Sequence, residues 1–127
     1  MMFSGLKPLT TTVSILLSSR MTTDTVAAMV ASSIKAGLIV KATDQDGIYT
    51  KDPRKHPDAT KIDELSFDEL SGMLEEDSHR VGIHQILDPE AVRILEERRI
   101  ETVVVNGFNP ENIISVVNGE KIGTRIR

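Results

Sequence analysis

Side chains that could bind a nucleotide are concentrated directly after a short apolar run. The run Gly37–Lys41 predicts a buried strand, and hydroxyl, carboxylate and phenol groups follow it at Thr43, Asp46, Tyr49 and Asp52. In open α/β sheets, ligands bind at the carboxyl ends of strands, so this segment is the first candidate for a binding site. Its Asp-Gly and Asp-Pro dipeptides are also ordinary turn signals, so composition alone leaves a plain surface loop as an alternative.

A second polar group, Thr22-Thr23-Asp24, begins a segment with helical character. Threonine and aspartate are favoured at helix N-termini, and the alanine-rich stretch that follows predicts a helix over residues 22–36. The free N–H groups at the start of such a helix can hold an anionic oxygen, as of a phosphate. Simple helix capping is the alternative explanation for the same residues.

The segment Ala42-Thr43-x-x-Asp46-Gly47-Ile48-Tyr49-x-x-Asp52-Pro53 closely resembles the nucleotide-binding segment of uridylate kinases in the amino acid kinase superfamily. The archaeal type of these kinases is the nearest. Further matching stretches follow in the family's order at residues 57–66, 87–91, 102–107 and 119–124. The resemblance therefore covers about residues 22–126. It implies an α/β fold and a phosphotransferase that uses ATP with Mg²⁺.

On the ATP side, the resemblance assigns a role to each matching residue of the central segment. Thr43, Tyr49 and Asp52 would contact ATP. A tyrosine ring can lie against a nucleotide while its hydroxyl hydrogen bonds, and hydroxyl or carboxylate groups can bind the base or the sugar. Asp46 would lie closer to the phosphates and the Mg²⁺ that ATP carries, so no separate metal site is expected.

On the acceptor side, the resemblance implies that Thr22 and Thr23 contact UMP. Asp24 would be the acidic residue that holds catalytic lysines and the transferring phosphoryl group in register, a role suited to a reaction governed by positioning and charge neutralisation. A second pair, Thr11-Thr12, has the family's spacing from an upstream Gly-x-x-Pro but lacks the following aspartate. The sequence leaves open which threonine pair forms the acceptor loop.

Composition limits the remaining function classes. A chain of 127 residues with 39% hydrophobic and 27% charged residues is typical of one globular domain. A net charge of −4 argues against nucleic-acid binding, and the absence of cysteine excludes disulfides and thiol catalysis. The apolar run Val13–Leu17 is too short to cross a bilayer. We therefore expect a cytoplasmic protein that does not bind membranes.

The order of predicted elements indicates an α/β fold with a mostly parallel sheet flanked by helices, the C-terminal half of an amino acid kinase fold. Residues 22–127 are predicted to form the nucleotide-binding domain, and residues 1–21 an atypical N-terminal segment that partly resembles an acceptor loop. In the first helix, Val26, Val30 and Ile34 are spaced by four residues and are predicted to face the sheet, with Gly37 ending the helix.

The resemblance concerns only the second half of a kinase of this family. The first half would supply a strand leading into a Lys- and Gly-rich phosphate loop and a Gly-rich acceptor segment, neither of which this sequence contains. Because the phosphates of donor and acceptor need neutralising groups, we expect a UMP kinase-like protein that is impaired alone or complemented by a separate N-terminal chain.

Two other hypotheses stay open. The chain could be a non-catalytic nucleotide-binding or assembly module, or a sister kinase with another small phosphate or carboxylate acceptor, because the central motif concerns the donor. Oligomers are implied by the resemblance and by exposed sheet edges, so a homo-oligomer is predicted. His79 and His84 show no pattern of acidic partners and are not predicted to bind metal.

Overall fold

The computed structural model describes residues 2–4, 22–76 and 86–127. The strands and helices, in chain order, are β1 (Met2–Ser4), α1 (Thr23–Ser33), β2 (Leu38–Thr43), β3 (Ile48–Tyr49), β4 (Lys61–Ile62), β5 (Glu64–Leu65), α2 (Phe67–Glu76), α3 (Pro89–Arg98), β6 (Glu101–Asn106), α4 (Glu111–Val117) and β7 (Thr124–Ile126). Among the described residues, no helix combines the length and the apolar character needed to cross a membrane.

Five strands form one sheet in the order β1-β2-β6-β7-β5, and β3 pairs with β4 in a separate hairpin. The longest pairing, β2 with β6, is parallel from Leu38–Glu101 to Thr43–Asn106. Strand β5 is parallel to β7, whereas β1 and β7 run antiparallel to β2 and β6. The predicted α/β class with a mostly parallel sheet is confirmed, although the sequence did not predict β1.

Both faces of the central strands are buried where their sequences are apolar, at Ile39 and Val40 of β2 and at Val103–Val105 of β6. On one face, Ile39 of β2 and Val104 of β6 belong to the larger aliphatic cluster, to which α1, α2 and α3 contribute. On the other face, Val40 and Val103 pack with Val116 of α4. The alternation of neighbouring residues between the two clusters follows the two-residue period of a strand. This packing holds the carboxyl ends of β2 and β6 rigidly side by side.

Helix α1 buries a different stripe from the one predicted. Ala28 and Ala31 are completely buried, whereas Val26, Val30 and Ile34 are only half-buried. The physical reason is that α1 lies against α3, and small side chains at the contact let two helices approach closely. The predicted end of the helix is also wrong, because α1 ends at Ser33, and the left-handed residue beyond it is Lys35 (φ 55°) rather than Gly37.

Helices α2 and α3 begin with specific side-chain caps. Ser66 and Glu69 cap each other's backbone N–H groups at the start of α2, at 3.1 and 2.9 Å. Asp88 is the N-cap of α3, with Pro89 in the first turn. These local signals fix where each helix starts, and the second of them also takes part in the candidate site.

Candidate functional site

The candidate site lies where β2 and β6 end side by side. Thr43 and Asn106 are paired at the last position of the parallel ladder. Beyond that pair, the backbone N–H of Gly107 donates to the carbonyl oxygen of Thr43 at 2.8 Å. A side chain at Gly107 would place its Cβ 2.8 Å from the Cβ of Ala42, so the close approach of the loop after β6 to strand β2 requires glycine there. The sequence-predicted loop after β2 is therefore joined to the loop after β6.

Two of the predicted ATP-side residues lie at this edge. The Thr43 hydroxyl accepts a hydrogen bond from the Gln45 N–H at 3.0 Å, which shapes the start of the loop. The Asp46 carboxylate is exposed, and its Oδ1 accepts from Nδ2 of Asn106 at 3.0 Å. Asp46 thus points toward the end of β6, a contact that sequence reasoning did not anticipate.

Strand β7 anchors the turn formed by Asp46 and Gly47. The Ile48 N–H donates to the hydroxyl of Thr124 at 2.8 Å, and that fully buried hydroxyl donates to the carbonyl of Ile62. An added Cβ at Gly47 would meet the Thr124 hydroxyl at 2.5 Å, so the turn has no room for a larger residue. Tyr49 comes next in β3 and is half-buried. The Asp-Gly turn is therefore an anchored part of the fold rather than a free surface loop.

Asp52, the third predicted ATP-side residue, is an ionised carboxylate. Its Oδ1 accepts from the backbone N–H of Arg54 at 3.0 Å, and the Arg54 guanidinium lies 3.5 Å away. The backbone hydrogen bond from Arg54 is the main reason that the pKa of Asp52 lies below its usual value, and the positive charge of Arg54 lowers this pKa further. The carboxylate is thus held as a hydrogen-bond acceptor at neutral pH.

Asp24 forms an ion pair that the sequence did not reveal. Its Oδ1 lies 2.6 Å from Nζ of Lys41, and the two side chains are only 12% and 20% exposed. Lys41 is in β2 and shares a face with Thr43, since alternate residues of a strand point the same way. A lysine within a strand that is buried on both faces is itself unusual, and that signal could have identified Lys41 from the sequence.

The start of α1 is tied to the start of α3 by one carboxylate. Thr22 caps α1 by accepting from the Thr25 N–H at 3.1 Å, and its hydroxyl donates to Oδ2 of Asp88 at 2.9 Å. The Thr25 hydroxyl donates to the same oxygen. Thr23 is exposed in the first turn of α1. Asp88 also caps its own helix, and its second role, the link to α1, comes from the tertiary packing.

The Asp88 carboxylate makes a pH-dependent contribution to stability. Burial by itself would raise its pKa, but hydrogen bonds from Thr25, Thr22 and two backbone N–H groups outweigh burial and leave the pKa below the usual 3.8. Because its pKa is lowered in the folded state, the ionised Asp88 carboxylate stabilises the fold above about pH 3.8. This stabilisation is lost as the pH falls through the folded-state pKa.

We expect Asp88→Asn to lower the free energy of unfolding by about 1 kcal/mol at neutral pH, because the charge-assisted hydrogen bonds weaken. Urea unfolding followed by circular dichroism, in steps from pH 7 to pH 3, measures the effect. The difference between the two proteins should shrink over the acidic part of that range. A difference that stays constant with pH would contradict the assignment of this linkage to Asp88.

Four residues named in the sequence analysis cannot be placed relative to this site. Thr11, Thr12, His79 and His84 lie outside the described residues. Within residues 22–76 and 86–127, no group of three or more acidic or histidine side chains is placed to hold a metal ion. The described site is therefore a set of hydroxyl, carboxylate and ammonium groups that extends from the start of α1, along β2, to the loop beyond it.

Comparison with known proteins identifies the family. The sequence model of the Amino acid kinase family matches residues 3–106. The chain belongs to this family. The uridylate kinase of Methanocella arvoryzae is 45% identical over 106 residues, which cover 84% of this chain and 47% of that protein. The uridylate kinase of Methanothrix thermoacetophila is 42% identical over 106 residues, covering 84% of this chain and 48% of that protein.

Solved structures agree with these sequence relatives. The uridylate kinase from Archaeoglobus fulgidus superposes with a TM-score of 0.70 at 38% identity, covering 84% of this chain and 47% of that one. The isopentenyl phosphate kinase of T. acidophilum superposes with a TM-score of 0.57 at 28% identity, covering 82% and 38%. The resemblance to archaeal uridylate kinases is thus confirmed for this member of the amino acid kinase family. The chain spans about half the length of the curated relatives it matches.

Proposed function

We propose that this chain is the nucleotide-binding half of a UMP kinase, which transfers the terminal phosphoryl group of ATP to UMP and yields UDP. The observation that carries the proposal is the Asp24–Lys41 pair, with 2.6 Å between Oδ1 and Nζ. Lys41 precedes Thr43 by two residues on the same face of β2, which places the two about 7 Å apart along the strand. One strand face thus connects the helix proposed to hold the acceptor with the loop proposed to hold the donor.

On the donor side, we assign ATP to the loop beyond β2. The Tyr49 ring would lie against the nucleoside, and the ionised Asp52 would accept hydrogen bonds from sugar hydroxyls or the base. Thr43 would contribute its hydroxyl or carbonyl. The exposed carboxylate of Asp46 suits Mg²⁺, which prefers oxygen ligands and keeps several of its waters. Mg²⁺ carried by ATP would neutralise part of the charge on the phosphates.

On the acceptor side, the start of α1 would bind the phosphate of UMP. Backbone N–H groups of the first turn and the exposed Thr23 hydroxyl are suitable donors for an anionic oxygen, and Thr22 defines where that turn begins. Asp24 would orient Lys41, whose ammonium group would neutralise charge on the phosphoryl group during transfer. Thr11 and Thr12 are retained as the alternative acceptor pair.

The relatives are about twice as long as the region that matches this chain. We propose that the phosphate-binding groups of their other half, wherever they are encoded, complete the site, either as a separate complementing chain or within an oligomer. Residues 22–127 would then act as the nucleotide-binding domain in the cytoplasm. Size-exclusion chromatography with light scattering tests the oligomer, and a monomer would contradict that part of the proposal.

The proposed reaction is tested by measuring UDP formation from ATP, Mg²⁺ and UMP. The chain is assayed alone and after addition of the N-terminal half of the Archaeoglobus fulgidus relative, with isopentenyl phosphate as a competing acceptor. We expect UDP formation above background in at least one of these two preparations. The added N-terminal half of the relative should form no UDP when this chain is omitted. Phosphorylation of isopentenyl phosphate but not UMP would favour the sister-kinase hypothesis. ATP binding without turnover in any preparation would favour the non-catalytic module.

A further inference from the structure

Asn106, the last residue of β6, contacts three separate segments at the candidate site. Its Nδ2 donates to Oδ1 of Asp46 at 3.0 Å, and its Oδ1 accepts from the backbone N–H of Phe108 at 2.9 Å. Its carbonyl oxygen accepts from Nδ2 of Asn112 at 3.0 Å. The side-chain amide therefore uses a donor and an acceptor at the same time, one toward the loop after β2 and the other toward its own loop.

We infer that Asn106 is a positioning residue for the donor-nucleotide loop, acting through Asp46. The inference rests on the proposed function, because it gives Asn106 a role in ATP binding without direct contact to ATP. An amide suits this position because it can donate to a carboxylate and accept from an N–H group simultaneously. A carboxylate at the same place could accept but not donate at neutral pH.

The loop is fixed at two points by the end of β6. Its start is held by the hydrogen bond from the Gly107 N–H to the Thr43 carbonyl at 2.8 Å, and its third residue by the Asn106–Asp46 contact. Gly47, directly after Asp46, is then fixed by its close packing against Thr124. A loop already ordered before the ligand arrives loses less conformational freedom on binding, so its affinity for the ligand is higher.

The inference is tested by exchanging the two groups. Asn106→Asp keeps an oxygen that can accept from the backbone N–H of Phe108. It also places a second carboxylate beside Asp46, where the amide Nδ2 had donated at 3.0 Å, and two like charges this close repel. We expect the Kd of Mg²⁺–ATP, measured by titration calorimetry at 25 °C, to rise about tenfold or more, the effect expected for a lost hydrogen bond to a charged group. Circular dichroism at the same temperature checks that the variant is folded.

The double variant Asn106→Asp with Asp46→Asn restores an amide-to-carboxylate hydrogen bond with the two groups exchanged. Asp46→Asn alone is measured beside it, because the Asp46 carboxylate is itself proposed to lie near Mg²⁺. The double variant should lose less binding free energy for Mg²⁺–ATP than the sum of the two single losses, since the same contact is formed again. The control is Asn118→Asp, which makes the same change in charge at the far end of α4 and should leave the Kd unchanged. A purely structural role for Asn106 would change thermal stability but not the Kd of the folded protein.

The outcomes separate this inference from the proposed function. If the unaltered chain binds no Mg²⁺–ATP, both fail. If the chain binds Mg²⁺–ATP and Asn106→Asp binds it equally well, only the role of Asn106 is overturned. A double variant whose loss of binding free energy equals the sum of the two single losses would also overturn that role, because re-forming the contact would then have no effect.

Discussion

Replacing Gly123 by alanine is expected to lower the free energy of unfolding by about 3 kcal/mol or more, since a left-handed backbone costs about 1–2 kcal/mol and overpacking about 1–3 kcal/mol. Gly123 has φ +67°, and an added Cβ would lie 2.0 Å from the carbonyl oxygen of Val104 and 2.8 Å from Cγ1 of Val105. Neither atom can move away easily, because Val104 is in the central strand β6 and both valines are buried.

Gly119→Ala is the matched control for this prediction. Gly119 also has a positive φ, +87°, but no atom lies within 4 Å of the position that its Cβ would take. Gly119→Ala should therefore lower the free energy of unfolding only by the cost of the left-handed backbone, about 1 kcal/mol. Urea unfolding of the two variants and the unaltered chain measures both values. Equal losses for the two variants would show that β7 does not approach β6 as closely as described.

The largest expected effect on function is that of Asp24→Asn. We expect the rate of UDP formation to fall about 100-fold or more, the usual cost of removing one preorganised charge-stabilising group. Without its ionic partner, the Lys41 ammonium is no longer directed along β2. Lys41→Met should reduce the rate similarly, and the double variant should be no worse than either single one, because the two residues act as a unit.

Asp63→Asn is the control for the Asp24 variant. Asp63 also pairs with a lysine, Lys61, at 3.4 Å, but its side chain is 85% exposed, so its neutralisation should disturb little of its surroundings. The rate should therefore stay unchanged. The assay uses whichever preparation forms UDP, the chain alone or the chain with the added half of a relative. Strictly additive losses for Asp24 and Lys41, or an equal loss for Asp63→Asn, would contradict the proposed role of the pair.

The parts of the fold that could be predicted depend on local sequence signals. The strand before the central segment follows from its apolar run, and the start of α3 from Asp88 and Pro89, because capping involves residues only a few positions apart. The α/β order follows from the alternation of such segments. The assignment of Thr43, Tyr49 and Asp52 to ATP came from the family resemblance and stays a proposal.

The contacts that could not be predicted join distant parts of the chain. The Asp46–Asn106 hydrogen bond spans 60 positions and the Thr22–Asp88 hydrogen bond spans 66. No local pattern encodes such pairs, because they depend on how β6 and α3 pack beside β2 and α1. The buried stripe of α1 could not be predicted for the same reason. Periodicity alone pointed to its valines, but the contact with α3 buries its alanines instead.

The central claim, that the loop beyond β2 binds the donor nucleotide, is tested most directly by titration calorimetry with Mg²⁺–ATP. Three proteins are compared: the unaltered chain, Asp52→Ala, and the control Asp58→Ala, which removes an exposed carboxylate paired with Lys51 in the same segment. Saturable binding that weakens about tenfold or more in Asp52→Ala, as for a lost charged hydrogen-bond partner, and persists in Asp58→Ala is the predicted result. Absence of binding by the unaltered chain, or equal affinity in all three proteins, would contradict the account.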